Sequence, residues 1–152
     1  MNLFLVLLAA HVCGDVLTYS TILARAKRWG SRSFRAKALA LHCLVHAFFV
    51  LILGWIFGVE GIVFAAGYIF FVHFGIDFVR VQTELHLFDP KYFIIINKRQ
   101  VLEYMLGRYV KHKEFETFMK KYFWQWGAVN ILDQTLHLVS IAVFALVVFR
   151  SH

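Results

Sequence analysis

The sequence predicts an all-α polytopic membrane protein. Its expected form is an antiparallel bundle of four transmembrane helices, with one or two cytoplasmic amphipathic helices between the third and fourth. Three observations predict it. Of the 152 residues, 61% are hydrophobic, and the mean hydropathy is +0.67, whereas a soluble domain stays near about 45–50% apolar. Four runs, at about 2–24, 38–58, 61–80 and 127–149, reach the roughly 20 apolar residues that carry a helix across a bilayer core. Basic residues collect in alternate connections between those runs. One domain is expected at this length.

The first run is read as a retained helix rather than a signal peptide. It has no basic leading region and no small-residue cleavage site, and it carries His11 and Asp15 in its middle. The loop that follows, "RAKRWGSRSFRAK", holds Arg25, Lys27, Arg28, Arg32, Arg35 and Lys37 and no acid. The second and third runs meet at a tight turn, Gly58 to Gly61, whose only charge is Glu60. The third connection, 81–126, has eight Lys/Arg against five acids. By the positive-inside rule both basic connections are cytoplasmic and both termini face outward.

Pro90 marks a turn in that third connection. Leu102, Met105, Leu106 and Tyr109 then follow i, i+3, i+4, i+7, and Phe115, Phe118, Met119 and Tyr122 repeat the pattern. An interfacial amphipathic segment at about 98–125 is expected, with Trp124 and Trp126 at the membrane boundary. Basic loops flanking apolar runs, without any nucleic-acid fold signature, fit anionic lipid headgroups and exclude nucleic acid as partner. A homo-oligomer is compatible with the composition. Cys13 and Cys43 lie within apolar runs and give neither a disulfide framework nor a zinc-ribbon spacing.

Chemistry enters through one repeated spacing. The four runs carry His11-x-x-x-Asp15, His42-x-x-x-His46, His73-x-x-x-Asp77 and Asp133-x-x-x-His137, and short of the boundary residue Arg80 they hold no other charge or histidine. An i, i+4 pair lies on one helix face, about 6 Å apart along the axis. A single intramembrane His or Asp commonly serves as an interhelical hydrogen bond or a proton relay. Four pairs with one spacing point instead to metal ligation. Alternating helix direction sorts them into two layers: Asp15, His42, Asp77 and Asp133 toward the cytoplasm, and His11, His46, His73 and His137 deeper.

Carboxylates and imidazoles on facing helices suit a two-metal site. Two divalent ions would give +4 against three aspartates, leaving room for hydroxide or a phosphate oxygen. Without thiolate ligands, zinc, manganese or iron is expected. Asn130 and Ser140 lie near the same face as Asp133 and His137 and could support the ligands, and Gln134, beside Asp133, could orient one. Gln134 could equally orient a substrate or bond to a neighbouring helix. Arg80 reads either as a substrate-phosphate residue or, more simply, as a boundary arginine snorkelling to the surface. Gly54-x-x-x-Gly58 suggests close helix packing. His86, His112 and His152 lie outside the runs and read as surface residues.

The pieces "AHVCGD" at 10–15, "LHCLVH" at 41–46, "HFGID" at 73–77 and "DQTLH" at 133–137 resemble a bacterial family of small four-helix inner-membrane proteins, domain of unknown function 3307. The resemblance spans most of the chain apart from 83–125. The family's first motif often continues with an aromatic residue and a glutamine, where this chain has "DVLTY". The resemblance implies a bacterial inner-membrane location and no particular activity.

Four functions are consistent with these residues. The leading one is a metal-dependent hydrolase of a phosphoester or lipid-like substrate, with a metal-bound hydroxide as nucleophile. A di-iron oxidoreductase similar to desaturases or hydroxylases is the second. A metal or proton transporter is the third, opposed by the apolar outer halves of the runs. A non-catalytic subunit locked by its metal is the fourth, because eight protein ligands could saturate both ions.

Overall fold

The computed structural model describes residues 3–17, 21–89, 91–92, 98–107 and 113–149. They form α1 (Leu3–Leu17), α2 (Thr21–Ala26), α3 (Arg32–Ile56), α4 (Ile62–Leu87), α5 (Lys98–Met105) and α6 (Lys113–Phe149), with no strand among the described residues. Tyr109 and His112 of the third connection, with Pro90 and His152, lie outside them.

Three helices, α3, α4 and α6, are long and apolar enough to cross a membrane. The 15 residues of α1 rise about 22 Å, less than the ~30 Å hydrocarbon core. Of the apolar run at 2–24, the described residues belong to α1 and to the start of α2. The surfaces of the long helices are apolar outward as well as inward. Trp55, Phe64, Phe71 and Ile131 are each 70% exposed or more. Such a surface suits lipid rather than water.

Local chemistry sets the ends of these helices. Ser31 caps α3, its hydroxyl accepting from the Phe34 amide at 3.2 Å. Between α3 and α4 the chain turns through Gly58 and Gly61 at φ 62° and 67°, the left-handed region open to glycine at little cost. The two glycines of Gly54-x-x-x-Gly58 therefore do different work. A Cβ on Gly54 would stand 2.0 Å from Ile62 Cδ1, whereas one on Gly58 would meet nothing. Gly54 packs; Gly58 turns.

α1 packs on α3 and α6, α3 on α4, and α4 on α6, closing a ring. Side-chain pairings run in opposite directions across each contact: Asp15 lies by His42, His11 by His46, His42 by Asp77, and His73 by His137. Within the ring, one end is filled by Leu7, Ala10, Ala47, Val50, Ile69, Ile141 and Phe144.

The opposite end holds a second core. Phe115, Phe118 and Met119 of α6 are fully buried against Phe88, Tyr92 and Val101, with Tyr122 at its edge. This differs from the interfacial helix expected over 98–125. The apolar stripe from Phe115 to Tyr122 is covered by protein, and 113–126 is the first part of a continuous α6. Among the described residues of 98–125, α5 and the Leu106 that follows it keep an outward apolar face, where Leu102, Met105 and Leu106 are exposed and Val101 points in. Trp124 is exposed, while Trp126 packs at the edge of the second core.

Candidate metal centre

Between the two cores the i, i+4 pairs of α1, α3, α4 and α6 meet. Four imidazoles gather first: His11 lies 5.2 Å from His46, 5.3 Å from His73 and 5.0 Å from His137 by ring centroid. His73 lies 4.0 Å from His46 and 4.1 Å from His137. His42 sits beside this layer, 4.6 Å from His46, with its Nε2 3.5 Å from Asp77 Oδ2 and 3.8 Å from Asp15 Oδ1. Its Nε2 also faces His73 Nε2 at 3.3 Å. Two nitrogens on a tetrahedral zinc, each bonded at about 2.0–2.1 Å, stand about 3.3 Å apart.

All eight residues singled out by spacing are brought together. Four sets offer donor atoms within 4.8 Å of one another: His11, His46 and His73; Asp15, His42 and His46; His42, His73 and Asp77; and Asp77, Asp133 and His137. Six of the eight are buried, while Asp15 and His42 keep 23% and 12% exposure of their side chains.

Hydrogen bonding divides the cluster. His137 Nδ1 lies 2.8 Å from the Asp133 carbonyl oxygen. Donation there leaves Nε2 as a bare lone pair, the arrangement that orients ligating histidines. That Nε2 has no hydrogen-bond partner, and neither do His11 Nε2, either ring nitrogen of His46, or Asp133 Oδ1. His46 Nε2 stands 3.5 Å from Asp15 Oδ1. Each unsatisfied buried polar atom costs about 1–3 kcal/mol. Five of them rival the ~5–15 kcal/mol net stability of a whole domain. A cation is the simplest group that satisfies several converging lone pairs at once. Gly14 makes the gathering sterically feasible, since a Cβ there would lie 2.4 Å from His46 Nδ1.

Asp77, Glu84 and Asp133 are differently placed, inside a collar of cations, whereas Asp15 lies by His11, His42 and His46. Lys27, buried in the α2–α3 connection, donates from Nζ to Asp77 Oδ2 at 2.9 Å. Arg28 donates to both oxygens of Glu84, which is 1% exposed. Arg80 donates to Glu84, at 2.8 Å to Asp133 Oδ2, and to Asn130 Oδ1. Arg80 therefore turns inward and does not snorkel: three carboxylates within reach of its guanidinium, Asp77, Glu84 and Asp133, outweigh solvation at the surface.

Four carboxylates, Asp15, Asp77, Glu84 and Asp133, face three cations, Lys27, Arg28 and Arg80. With neutral imidazoles the fixed charge is −1. The −3 expected from the aspartates alone omitted this collar.

The supporting residues take particular roles. Gln134 Nε2 donates to Asp133 Oδ2 at 3.0 Å. Asn130 accepts from Arg80 and donates to the Trp126 carbonyl oxygen at 2.7 Å, so it steadies the arginine and not an aspartate. Ser140 Oγ donates to the His137 carbonyl oxygen, and Tyr68 donates to the Ser140 carbonyl oxygen. Both fix backbone below the ring. Cys43 is buried and Cys13 half-buried, and His86 is exposed.

Gly14, Lys27, Arg28 and Glu84 were not singled out from the sequence. Glu84 had a signal: His73, Asp77, Arg80 and Glu84 are spaced four, three and four residues apart, one continuous stripe on α4.

A family model described as "Protein of unknown function (DUF3307)" matches residues 3–152, and the chain belongs to that family. No curated protein and no solved structure matches it.

Proposed function

We propose that this protein is a membrane-embedded metalloenzyme that hydrolyses a phosphoester or another lipid-like substrate. One observation carries the reading: buried ring nitrogens of His11, His46 and His137 converge from three helices without hydrogen-bonding partners. Imidazole donors favour zinc or iron, while manganese prefers oxygen ligands. A divalent ion held there supplies Lewis acidity and acidified water at neutral pH.

The chain's own groups supply the rest. The apolar plug of Leu7, Val50 and Phe144 closes the site from one end. Lys27, Arg28 and Arg80 place positive charge at the other, where the phosphate of a headgroup would be held and oriented. A collar of net charge −1 combined with one or two divalent ions becomes positive and selects an anion.

In this reading four helices cross the bilayer, α1 serving as the first with its neighbouring residues. The basic connections face the cytoplasm and anionic headgroups, and both termini lie outside. The exposed face of α5 lies on the membrane surface. A bacterial inner membrane is the setting suggested by the sequence motifs.

Elemental analysis of protein purified in detergent or nanodiscs tests the centre. A bound divalent transition metal, lost in His46→Ala, is the expected result; metal-free protein ends the reading. Metal-loaded protein that cleaves nothing in a broad phosphoester and lipid panel would end the hydrolase assignment alone. An iron protein whose visible absorption changes on oxidation would favour the oxidoreductase instead.

A further inference from the structure

The structure assigns, we infer, one tightly held divalent ion to the imidazole layer, with the ammonium of Lys27 standing where a second ion would bind. This rests on the metal-centre reading above and sets its stoichiometry.

The two layers differ in what they lack. Ring nitrogens without hydrogen-bond partners lie on His11, His46 and His137, in the imidazole layer, whereas the carboxylate layer has one such atom among the described residues, Asp133 Oδ1. Around Asp77 the situation is reversed. His42 Nε2, His73 Nε2 and Asp77 Oδ2 form a triangle with edges of 3.3, 3.5 and 4.0 Å. That is the shape of three ligands around one ion, yet Lys27 Nζ already sits 2.9 Å from Asp77 Oδ2. An ammonium and a divalent ion compete directly for a carboxylate oxygen. Asp133 Oδ2 is likewise taken, by Arg80 and Gln134, so that only its Oδ1 is left without a hydrogen-bond partner.

Charge points the same way. A fixed charge of −1 becomes +1 with one divalent ion, which a monoanionic phosphodiester would neutralise. A second ion would raise it to +3 in a low-dielectric interior, where uncompensated charge is costly. Replacing Lys27 by a neutral residue removes one positive charge and frees Asp77 Oδ2 together, so it should open the second position.

The experiment is metal counting on the full chain in nanodiscs, by elemental analysis and by cobalt(II) titration followed in the visible spectrum. Wild type is expected to hold one ion per chain, Lys27→Met two, and Lys27→Arg one. Two ions in wild type would overturn the inference and leave the metal centre standing. One ion in both wild type and Lys27→Met would overturn the role of Lys27. No ion in wild type would remove the metal centre itself. Because the wild-type count decides by itself, a misfolded variant does not shield the inference.

Discussion

The imidazole layer and the carboxylate collar lie within a few ångströms of each other, yet they are satisfied in opposite ways. In the collar, Glu84 is gripped by two arginines and Asp77 by a lysine. In the imidazole layer His46 has no hydrogen bond at either ring nitrogen. In the collar one carboxylate oxygen, Asp133 Oδ1, lacks a hydrogen-bond partner, while in the imidazole layer four ring nitrogens on three histidines do. A stable core and a ligand site can thus share one set of helices, distinguished by which lone pairs the chain leaves open.

The comparison breaks most sharply if the proposed metal is chelated or a collar member removed. Chelation of metal-loaded protein should lower thermal stability. An ion present at 1,000 times its dissociation constant contributes about 4 kcal/mol, and unchanged melting with and without chelator would contradict the assignment. Glu84→Gln should cost about 3–5 kcal/mol by leaving Arg28 and Arg80 without their shared carboxylate. Its melting temperature should fall while its metal content stays at the wild-type level. Loss of metal with stability unchanged would mean that the collar belongs to the ion site and not to the scaffold.

Gly14→Ala tests the contact beneath the imidazole layer. The added Cβ would stand 2.4 Å from His46 Nδ1, and overpacking of this kind costs about 1–3 kcal/mol. Weaker metal binding should accompany it, read as a higher dissociation constant by cobalt titration. At the small end, Ser31→Ala removes the α3 cap and should cost about 1 kcal/mol. Metal content should not change, since Ser31 touches neither layer.

Much of the centre was legible because its signal is local. His11 and Asp15, His42 and His46, His73 and Asp77, and Asp133 and His137 each mark one helix face within five residues of chain. Their burial in apolar runs makes each costly and therefore noticeable. Lys27 and Arg28 gave no such signal. They sit among six basic residues in one loop, and nothing in the order of that loop says which side chains turn inward. Glu84 continued the α4 stripe but lay beyond the apolar run, where charge reads as solvated surface. The start of α6 was hidden for a related reason: Lys113 to Trp126 is amphipathic, and Phe88 and Tyr92, which cover its apolar stripe, come from a distant part of the sequence.

The sequence by itself determined an all-helical chain, the apolar surfaces of its long helices, and the face on which each His/Asp pair lies. Helical periodicity and transfer from water act on neighbouring residues, so these properties need no knowledge of the rest of the chain. Only the tertiary structure decided which lone pairs stay open, that Arg80 turns inward, and that Lys27 reaches Asp77 across fifty residues of sequence. Those outcomes depend on which charges become neighbours once the helices pack, and Coulomb interaction in a poorly screened interior then fixes their partners.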